Sequence, residues 1–133
     1  MPDEDLIDSI VIIVKKYDIN AGLINAIGAL KKFTIGYFNL KTKKYNFKTY
    51  EEDVELISCM GNISYKNGEN MDKNGEPIVH LHIAVGRSDN SIIGGHLSQP
   101  SIISVTGEIY ISEISQKIYR VNEPKFNLAL LDL

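Results

Sequence analysis

Three histidines are the residues of this sequence best suited to chemistry. His80 and His82 are separated by one residue, and His96 follows after a short turn segment. Residues 77–85 alternate as a strand does, which places the His80 and His82 rings on one face and Leu81 on the other. Three neutral imidazoles with a fourth position open suit zinc, or another divalent transition metal, in a reactive site. The spacing therefore predicts a zinc site; the alternative is a polar cleft in which the histidines only form hydrogen bonds.

The position of His96 depends on the register between its strand and the strand that carries the other two histidines. A two-residue turn at residues 89–90 would place His96 opposite Ile83, with its ring pointing away from the site. A three-residue turn over residues 88–90, or a bulge at the two glycines that precede His96, would place His96 beside His82. The predicted site requires one of these last two arrangements.

Two carboxylates and one thiol are further candidates. Glu108 lies on the polar face of an alternating segment, where it could be a metal ligand, a group that orients one, or a general base. The alternative is a carboxylate that is solvated or contacts another subunit. Glu55 is a weaker candidate of the same kind, and Cys59 is expected to pack as a small apolar residue.

A metal held by three histidines lowers the pKa of its bound water to about 7, which would allow hydrolytic or hydration chemistry with Glu108 as proton acceptor. A purely structural metal is less favoured, because closed zinc sites usually have four protein ligands and more cysteine. No sequence feature names a substrate or decides whether the chain is an enzyme.

The elements expected around these residues form one α+β domain over residues 1–133. Residues 3–17 predict an amphipathic helix from acidic residues at its start and an apolar stripe of Leu6, Ile10, Ile13, Val14 and Tyr17. From Gly22 onward, β-branched and aromatic runs alternate with turn clusters, including clusters at 66–68 and 72–75, which predicts a mostly antiparallel sheet. The predicted strands are 22–30, 32–39, 44–49, 54–65, 78–87, 91–96, 101–113, 117–121 and 127–132. One helix cannot cover such a sheet, so we expect its second face to be buried against other subunits.

Composition limits the class of protein. The 133 residues are 44% hydrophobic and 23% charged, which is typical of a globular domain. The only cysteine, Cys59, cannot form an internal disulfide, and no signal-peptide pattern opens the sequence, so a cytoplasmic location is expected. No apolar run is long enough to span a bilayer, so no membrane association is expected. The formal net charge of -3 provides no overall attraction to a phosphate backbone.

A local basic stretch is the feature that supports nucleic-acid binding. Residues 31–50 contain no acid and interleave lysines with aromatic residues. The lysines are Lys31, Lys32, Lys41, Lys43, Lys44 and Lys48. We take Lys41, Lys43 and Lys44 as candidate DNA contacts. The alternative, favoured by the acidic remainder of the chain, is a solvated lysine face that covers aromatic residues packed inward.

Several segments resemble the plants-and-prokaryotes-conserved (PPC) domain. The resemblance rests on the runs at 80–89, 94–97 and 106–109, which contain the three histidines and Glu108, and it continues at 26–30, 54–64 and 119–131. It implies an α+β subunit built on an antiparallel sheet, a homotrimer, and metal-site histidines at His80, His82 and His96.

The resemblance also implies the DNA-binding and regulatory role ascribed to the family, with DNA or DNA-associated proteins as partners. Plant members carry AT-hook segments, whereas prokaryotic members are often the bare domain. This sequence has no Arg-Gly-Arg-Pro hook, and its helix comes first where related domains usually have a preceding strand. The interpretation is a metal-binding PPC-domain protein; the alternative is a zinc-dependent enzyme or a small-molecule-binding protein without direct DNA contact.

Overall fold

The computed structural model describes residues 1–66 and 75–132. One helix, α1 (Leu6–Lys16), precedes seven strands. The strands are β1 (Gly22–Asn39), β2 (Lys44–Tyr50), β3 (Val54–Lys66), β4 (Pro77–Gly86), β5 (Ile92–Glu113), β6 (Tyr119–Glu123) and β7 (Leu128–Leu131). They agree with the predicted α+β class, in a mixed sheet whose described pairings are antiparallel except for β3 with β6. The turns predicted within residues 67–74 lie outside the described residues. In the described part of the chain, no helix is long and apolar enough to cross a membrane.

Helix α1 begins at a well-formed cap. The Asp5 carboxylate accepts hydrogen bonds from the backbone N–H groups of Ile7 at 2.9 Å and Asp8 at 3.3 Å. Its second oxygen accepts from the Ser101 N–H at 2.7 Å, so the cap also fastens the helix to β5. The buried stripe consists of Leu6, Ile10 and Val14. The predicted range of 3–17 was too long, and Tyr17 is 66% exposed because it lies in the C-cap, outside the stripe.

Replacing Asp5 with Ala should lower the free energy of unfolding by about 1–2 kcal/mol, because the cap and the link to β5 are lost together. Urea denaturation with an unchanged m-value measures this. Asp8→Ala is the matched control, since the Asp8 carboxylate accepts from the exposed Gln99 side chain and its loss should cost about 0.5 kcal/mol or less. Equal losses in the two variants would contradict the assignment of the cap.

Four strands close into a ring of pairings. Strand β1 pairs with both β3 and β5, β5 pairs with β4, and β4 pairs with β3. Their inward side chains form one core with the stripe of α1. Core residues that are at most 5% exposed include Phe33, Leu56, Leu81, Ile83 and Ile103. Because the sheet curls onto itself, its inner face is covered within the chain, and only the outer face is left for the subunit burial expected from the sequence.

Two long strands replace four predicted ones. Strand β1 is continuous over the two predicted strands 22–30 and 32–39. Strand β5 is likewise continuous over the predicted strands 91–96 and 101–113. The register of β1 against β5 shifts at three places within residues 28–34. Such irregularities bend a strand without ending it, so the interruptions in the sequence pattern mark bends rather than turns.

Two hairpin elements extend the sheet beyond this ring. Strand β2 pairs with the second half of β1. Strands β6 and β7 pair with each other and join the sheet through two parallel residue pairs between β6 and β3. These two extensions bring Tyr45 and Arg120 next to the histidines.

Candidate metal centre

The three histidines meet on the outer face of the β4–β5 pair. His82 and His96 lie directly opposite each other, and His80 is two residues along β4. The distances between ring centroids are 5.1 Å for His80 and His82, 4.9 Å for His80 and His96, and 5.5 Å for His82 and His96. One nitrogen of each ring lies within 4.8 Å of the others. The structure thus brings together the three residues that the sequence singled out.

A three-residue turn sets this register. The Arg87 N–H donates to the Ser91 carbonyl at 2.9 Å, and the Asn90 N–H donates to the Arg87 carbonyl at 2.9 Å. Asn90 has a left-handed φ of 63°, which asparagine tolerates better than most residues. Of the two arrangements that allowed the site, the chain adopts the turn over residues 88–90. The alternative bulge is not formed, because the pairing continues without a shift to His96.

The opposite face of the same strands belongs to the core. Leu81, Ile83 and Val85 are buried there, as the alternation predicts. Cys59 also faces inward, at 1% exposure, and burial raises the pKa of its thiol to about 12. The prediction that Cys59 packs as an apolar residue is consistent with this position.

Burial and neighbouring positive charge keep two of the rings neutral. The pKa of His80 is lowered to about 4, first by burial and then by His96, Arg120 and His82. The pKa of His96 is lowered by burial and by the same His82 and Arg120. Neutral imidazoles are the form that binds metal ions, so both rings are in the binding form at pH 7.

The His80 shift gives a direct prediction for the metal-free protein. Nuclear magnetic resonance titration should show His80 taking up its proton near pH 4 rather than 6.5. Because the unfolded chain then binds the extra proton, this group removes stability as pH falls from about 6.5 to 4. Unfolding experiments across that range should show a smaller loss in a His80→Asn variant. A midpoint near 6.5 would contradict the burial of this ring.

Arg120 of β6 is buried beside His80. Its Nε–H donates to Ser64 Oγ at 2.8 Å, Nη1 donates to the Ala129 carbonyl at 2.9 Å, and Nη2 donates to Asn62 Oδ1 at 2.8 Å. Nη2 also lies 3.2 Å from Nδ1 of His80. A guanidinium only donates, so Nδ1 must be the accepting nitrogen in this contact. Arg120 therefore orients the His80 ring and places a positive charge next to it.

Aromatic rings of β2 close the other side of the site. Gly36 lies between His96 and Phe47 in the register of the sheet. A Cβ on Gly36 would be 2.6 Å from the Phe47 ring, so the absence of a side chain lets the rings cross toward β5. Tyr45 lies 4.8 Å from His96 between centroids and stacks on Phe47 at 5.2 Å.

A cavity of about 270 Å³ opens beside the histidines. His80, His96, Tyr45 and Arg120 form its polar side. Apolar residues of β4 and β7 form the remaining walls. The site therefore adjoins a space of small-molecule size with one buried positive charge in its wall.

The structure does not bring the predicted carboxylates to the histidines of the same chain. Glu108 is paired with Ile27, and Glu55 with Ala29. Both glutamates line a separate open groove of about 500 Å³ on the outer face of β1, β3 and β5. Within residues 1–66 and 75–132, the three histidines form the one group of three or more potential metal ligands.

The candidate DNA contacts lie at the exposed turn between β1 and β2. Asn39 Oδ1 accepts from the Lys41 N–H at 2.9 Å, and Lys43 has a left-handed φ of 53°. Lys41, Lys43 and Lys44 form no ion pair with any acid in the described ranges.

The remainder of the basic stretch is less available than these three lysines. Lys31 and Lys32 form ion pairs, and Lys48 lies over the Tyr50 ring at 4.6 Å. The expectation that the aromatic residues pack inward fails for Tyr37 and Phe47, which are 72% and 53% exposed.

Sequence patterns missed the residues that surround the histidines. Arg120 reaches His80 across forty positions of the chain. The available signal was a lone arginine at an inward position of a short strand. That position indicates that the side chain is buried, but it does not indicate which residues surround it. From the sequence, Tyr45 is only one of several aromatic residues in the stretch 31–50.

Residues 1–115 match the Plants and Prokaryotes Conserved (PCC) domain, the family abbreviated PPC above. The chain belongs to the PPC domain family. No curated protein matches this PPC chain.

Three solved structures are similar to the PPC chain over nearly its whole length. A Bacteroides thetaiotaomicron protein described as a putative DNA-binding protein is 35% identical, with a TM-score of 0.88, covering 99% of this chain and 87% of its own. A Pyrococcus horikoshii PPC protein is 35% identical, with a TM-score of 0.85 and coverages of 100% and 87%. An Archaeoglobus fulgidus protein described as metal-containing is 28% identical, with a TM-score of 0.86 and coverages of 100% and 89%.

Proposed function

We propose that the chain is a metal-binding PPC-domain protein in which His80, His82 and His96 hold one zinc ion. The observation that carries the proposal is the convergence of three ring nitrogens within 4.8 Å. Nδ1 of His96 is buried and has no hydrogen-bond partner among the described residues, which is costly unless a metal ion or a donor meets it. Zinc ligands in a tetrahedral site are about 3.4 Å apart, so the rings need to move inward by roughly an ångström.

The donor set favours zinc among the candidate metals. Three imidazoles without a thiolate suit zinc, and cobalt, nickel, copper or iron are the competitors in vitro. The Archaeoglobus relative described as metal-containing supports a metal in this fold. Purified, untagged protein should contain about one zinc per chain by elemental analysis. Protein that holds no metal after equilibration with zinc and removal of the excess would refute the proposal.

Arg120 sets a condition on metal binding. Ligation of His80 through Nε2 would leave the ring proton on Nδ1, which would then face a guanidinium that also only donates. The present 3.2 Å contact therefore has to loosen when His80 becomes a ligand. The released N–H of Arg120 would then be available to another acceptor.

The residues around the histidines favour the binding of a ligand at the metal over metal-dependent hydrolysis of a substrate. A bound zinc ion would supply Lewis acidity and a water of lowered pKa. The rings of Tyr45 and Phe47 lie beside His96, and Arg120 presents positive charge beside His80. No carboxylate in the described part of the same chain joins the cluster as a general base. Hydrolytic or hydration chemistry with Glu108 as proton acceptor would thus need that residue from a neighbouring subunit.

Self-association as a homotrimer is the second part of the proposal. Neighbouring strands β3, β1 and β5 expose a set of apolar side chains that we call the outer apolar face. It consists of Leu23, Ile27, Ile57, Met60, Val105 and Tyr110, which are 49–73% exposed. A contiguous patch of this kind is unusual on a monomer and typical of an interface. The inner face of the ring is already covered, and a second and third copy are the partners that the family resemblance implies.

DNA association is the second candidate function. It is supported by the three lysines at the β1–β2 turn, which pair with no acid of the described residues, and by the description of the Bacteroides relative. A trimer would present this turn three times. The net charge of -3 opposes binding driven by the whole molecule, so any contact must be local.

This candidate has its own test. Binding to a fluorescent duplex should weaken steeply between about 50 and 200 mM salt, and Lys43→Glu with Lys44→Glu should reduce it further. Lys31→Glu serves as the control, because Lys31 pairs with Asp3 and lies on another part of β1. An affinity for DNA that changes with neither salt nor the double substitution would rule out this role for the turn. The absence of DNA binding in the wild type would rule it out as well.

A further inference from the structure

The cavity beside the histidines holds a buried positive charge, and residues 1–66 and 75–132 supply no counter-charge to it. Arg120 is 6% exposed. Its contacts are to a hydroxyl, a carbonyl, an amide oxygen and an imidazole, all neutral. None of the ion pairs formed by residues 1–66 and 75–132 includes it. Burying a charge that no opposite charge compensates is expensive. An anion that enters the cavity would therefore be stabilised by Arg120.

The proposed zinc ion strengthens this imbalance. Three neutral imidazoles leave both charges of the metal uncompensated, and the carboxylates Glu55 and Glu108 line a different groove. The metal and Arg120 would therefore face the same cavity with no negative group from the described part of the chain. A ligand that enters this space gains most if it brings the negative charge itself.

Arg120 still has hydrogen-bonding capacity toward such a ligand. A guanidinium carries five N–H groups, and the observed contacts account for four of them. The remaining one is on Nη1. Loss of the His80 contact on metal ligation would free a second. One or two donors match one oxygen of a carboxylate better than the several exposed oxygens of a phosphate.

The other walls define the rest of the ligand. They are apolar side chains of β4 and β7, namely Ile78, Val79, Leu128 and Leu130, together with the Tyr45 ring. A volume of about 270 Å³ is at the small end for ligand cavities. The surplus oxygens of a phosphate would lie against these walls without partners. A compact hydrocarbon group would fill the same space favourably.

We infer that the cavity binds a small monocarboxylate with an apolar substituent, whose carboxylate lies between the three-histidine site and Arg120. This inference rests on the proposed metal function but makes a separate claim about the ligand. It assigns Arg120 as the group that selects an anion. It also assigns the apolar side chains of strand β7 as the wall that selects an apolar substituent.

Isothermal titration calorimetry with benzoate, benzamide and inorganic phosphate tests the inference on zinc-loaded and metal-free protein. Benzoate should bind the zinc-loaded chain at least about tenfold more tightly than benzamide, which has the same shape without the charge. Arg120→Met should remove most of that preference, and Arg120→Lys should retain part of it. Arg87→Met is the matched control, because Arg87 pairs with Glu52 away from this cavity and should leave benzoate binding unchanged.

The outcomes separate this inference from the metal proposal. One zinc per chain with equal binding of benzoate and benzamide, or tighter binding of phosphate, would overturn the carboxylate site and leave the metal centre standing. A chain without zinc that still prefers benzoate through Arg120 would support the anion site and refute the metal. Circular dichroism checks that Arg120→Met folds, and the comparison of benzoate with benzamide on wild type decides the question without that variant.

Discussion

His82→Ala should lower the affinity of the chain for zinc by more than about a hundredfold, because loss of a ligand costs more than loss of an outer-shell partner. His82 is the most informative of the three ligands. It is exposed, whereas His80 contacts Arg120 and His96 packs against Tyr45. Its replacement therefore removes a ligand with little loss of packing. Competition with a chromophoric chelator measures the change.

Met60→Ala is the matched control for this experiment. Met60 lies directly opposite His82 on β3 and is 60% exposed. Its truncation should leave zinc affinity within about twofold, since the thioether is outside the cluster. If His82→Ala binds zinc as well as the wild type does, the ion is held elsewhere and the three-histidine centre is wrong.

Ile27→Asp combined with Val105→Asp should convert a trimer into monomers. Both side chains lie on the outer apolar face and line the same groove, at 51% and 73% exposure in one chain. Two carboxylates placed in a buried interface cost several kcal/mol of association free energy per copy. This cost exceeds the free energy by which a small interface stabilises the trimer. Sedimentation velocity should give three times the 14.9 kDa chain mass for the wild type and a single chain mass for the variant.

The helix provides the control for the interface. Ile12 is 65% exposed on α1 and does not belong to the outer apolar face. Ile12→Asp should therefore leave the trimer intact. A wild type that sediments as a monomer at micromolar concentration, or a double variant that stays trimeric, would contradict the assignment of this face.

The histidine site shows what local sequence patterns can predict. Strand alternation fixes the face of a side chain without reference to distant residues, so His80 and His82 could be placed together from their spacing. His96 needed the turn type as well. The sequence allowed both a two-residue and a three-residue turn, and only the structure shows that Asn90 takes the left-handed position of the three-residue form.

The parts that escaped prediction depend on contacts between distant segments. Bulges within residues 28–34 bend β1 without ending it, and a local pattern cannot distinguish such a bend from a turn. Arg120 reaches His80 only because a short parallel pairing carries β6 to β3. The same long-range register places Glu108 opposite Ile27 rather than beside the histidines.

The most direct test of the three-histidine zinc centre is an anomalous difference map from crystals of the zinc-equilibrated, untagged protein, collected on both sides of the zinc absorption edge. We expect one strong peak per chain, bonded to ring nitrogens of His80, His82 and His96 at about 2.0–2.1 Å. Histidine rings that are well ordered but hydrogen-bonded only to one another or to water, with no anomalous peak among them, would contradict it.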